Sequence, residues 1–245
     1  MTRPLTVLKS VGPKLVPFFK TVALFFVLYR GESYSSIFYA IFKCLPIISL
    51  IFFVLLHGMN FSEVYSYSRR ILIGLVFSLL GDICMVYKTA GYFLHGVALF
   101  GVAQLLYASA FGMRPFNFKA GGVVASLGVI IYTFVFYPAI TGVLSPAIGV
   151  YMALIGVMVW RAVSRVQLFD DLWTWTKLCS CGGAILFGIS DMIIALDKFV
   201  IDIPLSQTII MITYYGAQLG ITLSVVDSHV DSLIETTKPR PIKVD

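Results

Sequence analysis

Gly74-Leu75-Val76-Phe77-Ser78-Leu79-Leu80-Gly81-Asp82-Ile83 is an apolar helix with a carboxylate set where lipid or packed helix belongs. A second copy stands at Gly183-Ala184-Ile185-Leu186-Phe187-Gly188-Ile189-Ser190-Asp191-Met192. In both, a Gly precedes the Asp by eight residues, and a small residue, Gly81 or Ser190, sits immediately before it. An Asp at the centre of a span costs about 2.5–3.5 kcal/mol on insertion scales. That cost, placed alike in two halves of a chain, points to a site.

The 245 residues around these copies are 59% hydrophobic and 12% charged, with mean hydropathy +0.92. A soluble domain carries about 25% charged residues, so the chain reads as an integral membrane protein. Residues 1–14 are polar and basic, and the first apolar run lacks a small-residue cleavage site, so no signal peptide is expected. The four cysteines, Cys44, Cys84, Cys179 and Cys181, lie in or beside apolar runs and read as reduced packing residues. The pair Cys179 and Cys181 has no second ligand pair, which argues against zinc.

A helix needs about 20 apolar residues to cross the hydrocarbon. By that ruler the sequence predicts an all-α protein of eight transmembrane helices, at about 15–30, 37–57, 70–88, 92–111, 119–138, 144–163, 175–197 and 204–226. Residues 120–160 hold no charge at all, too long a run for one span, and Pro138, Gly142 and Pro146 mark the turn that divides it. Residues 1–14 form an N-terminal segment, 15–226 the membrane domain, and 227–245 a polar tail. With the N-terminus in the cytosol, thirteen Lys and Arg fall in cytosolic segments, Arg161 among them. The opposite side then holds only Arg30, Lys88 and Lys198. This asymmetry follows the positive-inside pattern, places both termini in the cytosol, and accounts for the net charge of +6 without nucleic acid. Trp173 and Trp175 fit an interfacial belt.

Spans three and seven run in the same direction, and their successors match as well. Ala103-Gln104-Leu105 answers Ala217-Gln218-Leu219. The chain therefore reads as a four-plus-four parallel repeat that brings Asp82 and Asp191 toward one cavity. Two carboxylates in low dielectric repel each other, which favours one protonated acid beside one ionised base. The simpler alternative is a pair of structural carboxylates capped by Ser78, Ser190 or backbone. Tyr214, Tyr215 and Gln218 cluster on span eight, with Gln104 and Tyr107 one turn apart on span four. These are candidates to orient substrate or merely to bond neighbouring helices. Lys43 and Lys20 read either as snorkelling cations or, for Lys43, as a partner for a lipid phosphate. His57 and His95 are too few for a usual zinc site, though Asp82, Asp191 and His95 keep a metal open. There is no Gly-x-Ser-x-Gly elbow and no Gly-rich phosphate loop.

The runs 75–82, Lys43-Cys44-Leu45-Pro46, Ser190-Asp191 and Tyr214-Tyr215-x-x-Gln218 together resemble the lysoplasmalogenase (YhhN-like) family of eight-span membrane proteins. Tyr107-Ala108-Ser109-Ala110-Phe111-Gly112 and the region from Arg69 to Asp82 resemble its vertebrate branch. The resemblance spans about Gly12 to Ser224, with one departure. The family pattern commonly has His where this chain has Gln104, and Gln hydrogen-bonds without shuttling protons. The resemblance implies hydrolysis of the vinyl-ether bond of lysoplasmalogens to a fatty aldehyde and glycerophosphocholine or glycerophosphoethanolamine, in the endoplasmic reticulum. The residues fit that chemistry on their own terms: Asp82 and Asp191 read as the catalytic acid–base pair, with no cofactor and no metal. Lys43, Gln104, Tyr107, Tyr214, Tyr215, Gln218, Ser78 and Ser190 would contact the lipid substrate. A proton-coupled transporter, a metal-dependent lipid hydrolase and a non-catalytic lipid-binding protein remain the competing readings.

Overall fold

The computed structural model describes residues 4–29, 37–57, 65–166 and 174–226. They form eight helices and, among the described residues, no strand. These are α1 (Pro4–Leu28), α2 (Ile37–Leu56), α3 (Ser66–Val86), α4 (Phe93–Phe111), α5 (Phe118–Ile131), α6 (Leu144–Val166), α7 (Trp175–Phe199) and α8 (Ser206–Leu223). A helix satisfies its own backbone, the one solution open to a single apolar segment in hydrocarbon. Six of the eight are long and apolar enough to cross a membrane by length and composition. The other two, α3 and α8, carry the polar groups: Arg69, Arg70 and Asp82 on one, Gln207 and Gln218 on the other. Both bury much of their length inside the bundle.

The element boundaries follow local chemistry. Helix α1 starts well before the expected span and runs through Pro13 and Pro17. The expected turn near Pro138 is present: α5 ends in a π-helical turn, Tyr132–Phe136, and α6 begins at Leu144. Asn117 caps α5 by accepting from the Ala120 amide at 3.1 Å. Thr174 caps α7 by accepting from the Lys177 amide at 3.3 Å. Gly91, at φ +95°, turns the chain between a short 3-10 turn, Lys88–Ala90, and α4. The tail 227–245 and Trp173 lie outside the described residues.

Arg161 differs from its expectation as a loop cation. It is fully buried in α6, where Nε donates to the Gly112 carbonyl at 2.6 Å and a terminal nitrogen to that of Pro115 at 3.1 Å. It thereby ties α6 to the α4–α5 connection.

The main core joins residues of α1–α4 with those of α6–α8, whereas α5 buries no residue and stands at the edge against α6. Large side chains such as Phe19, Phe52, Val123 and Ile212 face outward, as a bilayer-embedded bundle requires. Helix pairs α3–α4 and α7–α8 pack most closely, through small residues. A Cβ on Gly183 would stand 2.7 Å from the Ala217 carbonyl oxygen and the Ile221 amide, and one on Gly220 2.7 Å from the Cys179 carbonyl. On the α3 side, Gly74 makes room for the ring of Tyr107. The neighbour of Gly183, Gly182, faces open space. Gly183→Ala is therefore expected to destabilise the protein by about 1–3 kcal/mol through overpacking against backbone. Gly182→Ala leaves thermal unfolding in detergent at or above the parent value.

Candidate active site

The two carboxylates meet one cavity of about 410 Å³. It begins at exposed Lys88, Thr89 and Lys198, at the α3–α4 and α7–α8 connections, and runs inward to buried Lys43, Asp82 and Tyr214. Ser190 and Asp191 line it from α7.

Asp82 is 1% exposed and fully engaged. The Lys43 ammonium, from α2, stands 3.1 Å from its Oδ1. The Tyr214 hydroxyl, from α8, donates to its Oδ2 at 2.7 Å. Lys43, expected against a lipid phosphate, thus already holds a carboxylate. Tyr215 points elsewhere, donating its hydroxyl to the Lys43 carbonyl at 2.9 Å. It secures α8 to the turn of α2 that carries the ammonium.

Asp191 has partners of another kind. Gln104, from α4, donates to its Oδ2 at 3.2 Å, and the Tyr151 hydroxyl, from α6, donates to the same oxygen at 2.5 Å. The described residues give it no ion pair. Tyr151 was not anticipated: a Tyr inside an uncharged span carries no signal of its own.

The remaining expected residues form a layer behind the cavity. The Tyr107 hydroxyl donates to Gln218 Oε1 at 2.9 Å, and Ser78 Oγ lies 3.3 Å from that hydroxyl. Ser190 lines the cavity but spends its hydroxyl on the Ile210 carbonyl at 3.2 Å, fixing α7 to α8. Lys20 lies exposed on α1, and neither His57 nor His95 lines the cavity. Asp197, in the last turns of α7, is half-buried in the cavity wall.

A second cavity, also about 410 Å³, lies between α5, α6 and α7. Its walls are Val97, Val124, Leu127, Ile155, Ile189 and similar side chains, and Asp191 is the one charged residue among the described ones that lines it. Asp191, Met85, Phe93 and Ile194 line both cavities. A polar chamber and an apolar slot therefore meet at one carboxylate. Chemically, the arrangement offers a carboxylate paired with an ammonium and a second one without such a partner among the described residues, the second at an apolar boundary.

Removing one partner of a buried ion pair costs more than replacing both. Lys43→Met is expected to destabilise the protein by about 3–5 kcal/mol, and adding Asp82→Leu to recover most of that loss. Thermal unfolding of the two single variants and the double variant checks it.

The matching family model, described as the YhhN family, covers residues 38–225. Lysoplasmalogenase TMEM86A of Bos taurus is 47% identical over 229 residues, 94% of this chain and 95% of the relative. Its human counterpart is 45% identical over the same shares. Lysoplasmalogenase TMEM86B of Sus scrofa is 36% identical over 89% of this chain and 88% of its own. No solved structure matches the chain.

Proposed function

The chain belongs to the YhhN family, and from that premise we infer that it is a lysoplasmalogenase: an integral membrane enzyme that hydrolyses the vinyl-ether bond of lysoplasmalogens. The observation that carries the reading, beside the relatives, is the junction of the two cavities at Asp191. A single-chain lipid has one apolar tail and one polar head, with the scissile bond between them. The tail fits the slot along α5, α6 and α7, and the glycerol and head fit the polar chamber.

Vinyl ethers hydrolyse by protonation of the carbon beta to oxygen. The resulting oxocarbenium-like cation takes up water, the added water loses a proton, and the hemiacetal collapses to aldehyde and alcohol. The chemistry needs an acid, an anion near the cation, and a base for water, the same division of labour as in glycoside hydrolysis. We assign the roles from the partners. Asp82, with an ammonium at 3.1 Å, is the ionised member; it stabilises the cation and receives the proton from water. Asp191, without a cation and facing the apolar slot, is the acid that protonates carbon. Tyr151 and Gln104 hold Asp191 in place, and Tyr214 does the same for Asp82. Ser190 shapes the chamber beside Asp191, while Ser78, Tyr107, Tyr215 and Gln218 act from behind it. No step requires a cofactor.

The partner pattern also supports a four-plus-four parallel repeat across eight spans. Each Asp receives one group from the preceding helix of its own half, Lys43 on α2 or Tyr151 on α6. Each receives another from the last helix of the other half, Tyr214 on α8 or Gln104 on α4. Cytosolic termini follow from the Lys and Arg asymmetry, and residence in the endoplasmic reticulum from the family resemblance. Closely packed α3–α4 and α7–α8 pairs and a site with an apolar side slot favour this hydrolase over a carrier.

The test is aldehyde release from purified protein in detergent, with a lysoplasmalogen and its saturated alkyl-ether analogue. Wild type is expected to act on the vinyl ether alone. Asp82→Asn and Asp191→Asn should each lose at least 100-fold in kcat while remaining folded, within the usual range for an acid or base. Full activity in either variant would sink the two-carboxylate mechanism. Tyr151→Phe removes the hydroxyl that fixes the acid and should lower kcat about tenfold with little change in KM, at roughly the scale of one hydrogen bond.

A further inference from the structure

We infer that Lys88 and Lys198, at the entrance of the polar chamber, bind the phosphodiester of the substrate, and that Asp197 beside them meets its cationic head. This deepens the lysoplasmalogenase reading and rests on it.

Charge distribution is the first support. On the topology read from the sequence, the side that carries the α3–α4 and α7–α8 connections is poor in cations, with only Arg30, Lys88 and Lys198 assigned to it. Two of these three line the chamber. Cations spread at random over that face would not be expected to converge on one entrance. Neither makes an ion pair with a described residue. Lys198 rests its ammonium over the Phe93 ring, 4.4 Å from the centroid, which holds the side chain toward the chamber wall that Phe93 also forms. Lys43 is the other cation in the chamber, but it is deep and occupied by Asp82. A phosphate drawn to it would have to sit against a carboxylate, which like charge opposes.

Distance is the second support. Asp191 and Lys198 are both on α7, seven residues apart, and so on one face of the helix. Seven residues rise about 10 Å along the axis at ~1.5 Å each. In an alkenyl lysolipid, seven bonds separate the protonated vinyl carbon from phosphorus. An extended chain of that length covers about 8 Å at backbone-like spacing, and the reach of a lysine side chain covers the remainder. Ile194, one turn beyond Asp191, lines the chamber between them, so the glycerol would lie along this face. With the reacting carbon at Asp191, the phosphate arrives at the two lysines.

Asp197 gives the subsite its sign pattern. Its Oδ1 accepts from the Ile203 amide at 3.0 Å, which fixes the carboxylate on the loop after α7. Two ammonium groups with one fixed carboxylate match a head that carries a phosphodiester anion followed by an ammonium. A bare phosphate monoester lacks the second charge and would leave Asp197 facing an anion.

The experiment compares alkenyl-glycerophosphocholine with alkenylglycerol, which has the same reacting bond and no phosphate. The readout is the ratio of kcat/KM between the two substrates, for wild type and the Lys88→Gln, Lys198→Gln double variant. The double variant should lower that ratio at least tenfold, through KM for the phospholipid. An unchanged ratio, whether or not overall activity falls, overturns the proposal. Asp197→Asn, which still accepts from the Ile203 amide, should lower the preference for the phosphocholine substrate over alkenylglycerol phosphate severalfold; an unchanged preference removes Asp197 from the subsite. A binding arm separates this proposal from the catalytic one. The saturated alkyl-ether lysophosphocholine should bind the double variant at least tenfold more weakly than wild type, and alkylglycerol equally to both. If wild type releases no aldehyde, the hydrolytic reading fails, and the binding arm still decides whether the two lysines hold the head.

Discussion

An ammonium and a carboxylate 3.1 Å apart in the interior of an apolar bundle set the terms for everything around them. Neither Lys43 nor Asp82 could be carried there alone at acceptable cost, because each would be a desolvated charge without compensation. Together they are tolerable only if the remaining lone pairs and protons find partners. That requirement draws α8 inward: Tyr214 satisfies the carboxylate, and Tyr215 secures the backbone of the lysine itself. Three helices are thereby registered against one another at a single point. The glycine contacts between α7 and α8 then carry that register to α7, where Asp191 sits.

Asp191 differs because the position on α6 that faces it supplies a phenol instead of an ammonium. On the proposed reading, two identical side chains in similar frames hold different charge, an outcome set by surroundings and not by residue type. The chamber stays polar next to Asp82, and the slot beyond Asp191 is lined by hydrocarbon. The vinyl ether, on the proposed reading, joins an apolar chain in the slot to a glycerol head in the chamber.

The sequence made the eight helices and the two carboxylates legible because hydropathy and a charge in an apolar run are signals a single position can carry. The turn near Pro138 and Gly142 was legible for the same reason. Pairing was not. Nothing in the order of residues states how α2 is rotated against α3, so Lys43 was matched to a phosphate and not to Asp82. Tyr214 and Tyr215 were grouped, yet successive helical residues diverge by about 100° and cannot both face one cavity. Tyr151 had no charge to betray it. Its one trace was positional: it follows Lys43 by nearly the interval at which Asp191 follows Asp82. Arg161 looked like a loop cation because its burial depends on carbonyls from a distant connection, Gly112 and Pro115.

The meeting of a wet chamber and a dry slot at one residue has a consequence for what happens after the bond breaks. A long-chain aldehyde and a glycerophosphodiester have opposite solubilities, and each would already be lodged on the side of the boundary that suits it. On the proposed reading they leave through different walls, one sideways among acyl chains and one along the axis into water. Neither obstructs the other, and the recombination of aldehyde with alcohol is opposed by phase separation as well as by chemistry. The protein would act as a partition as much as a catalyst, delivering an apolar electrophile directly into the membrane.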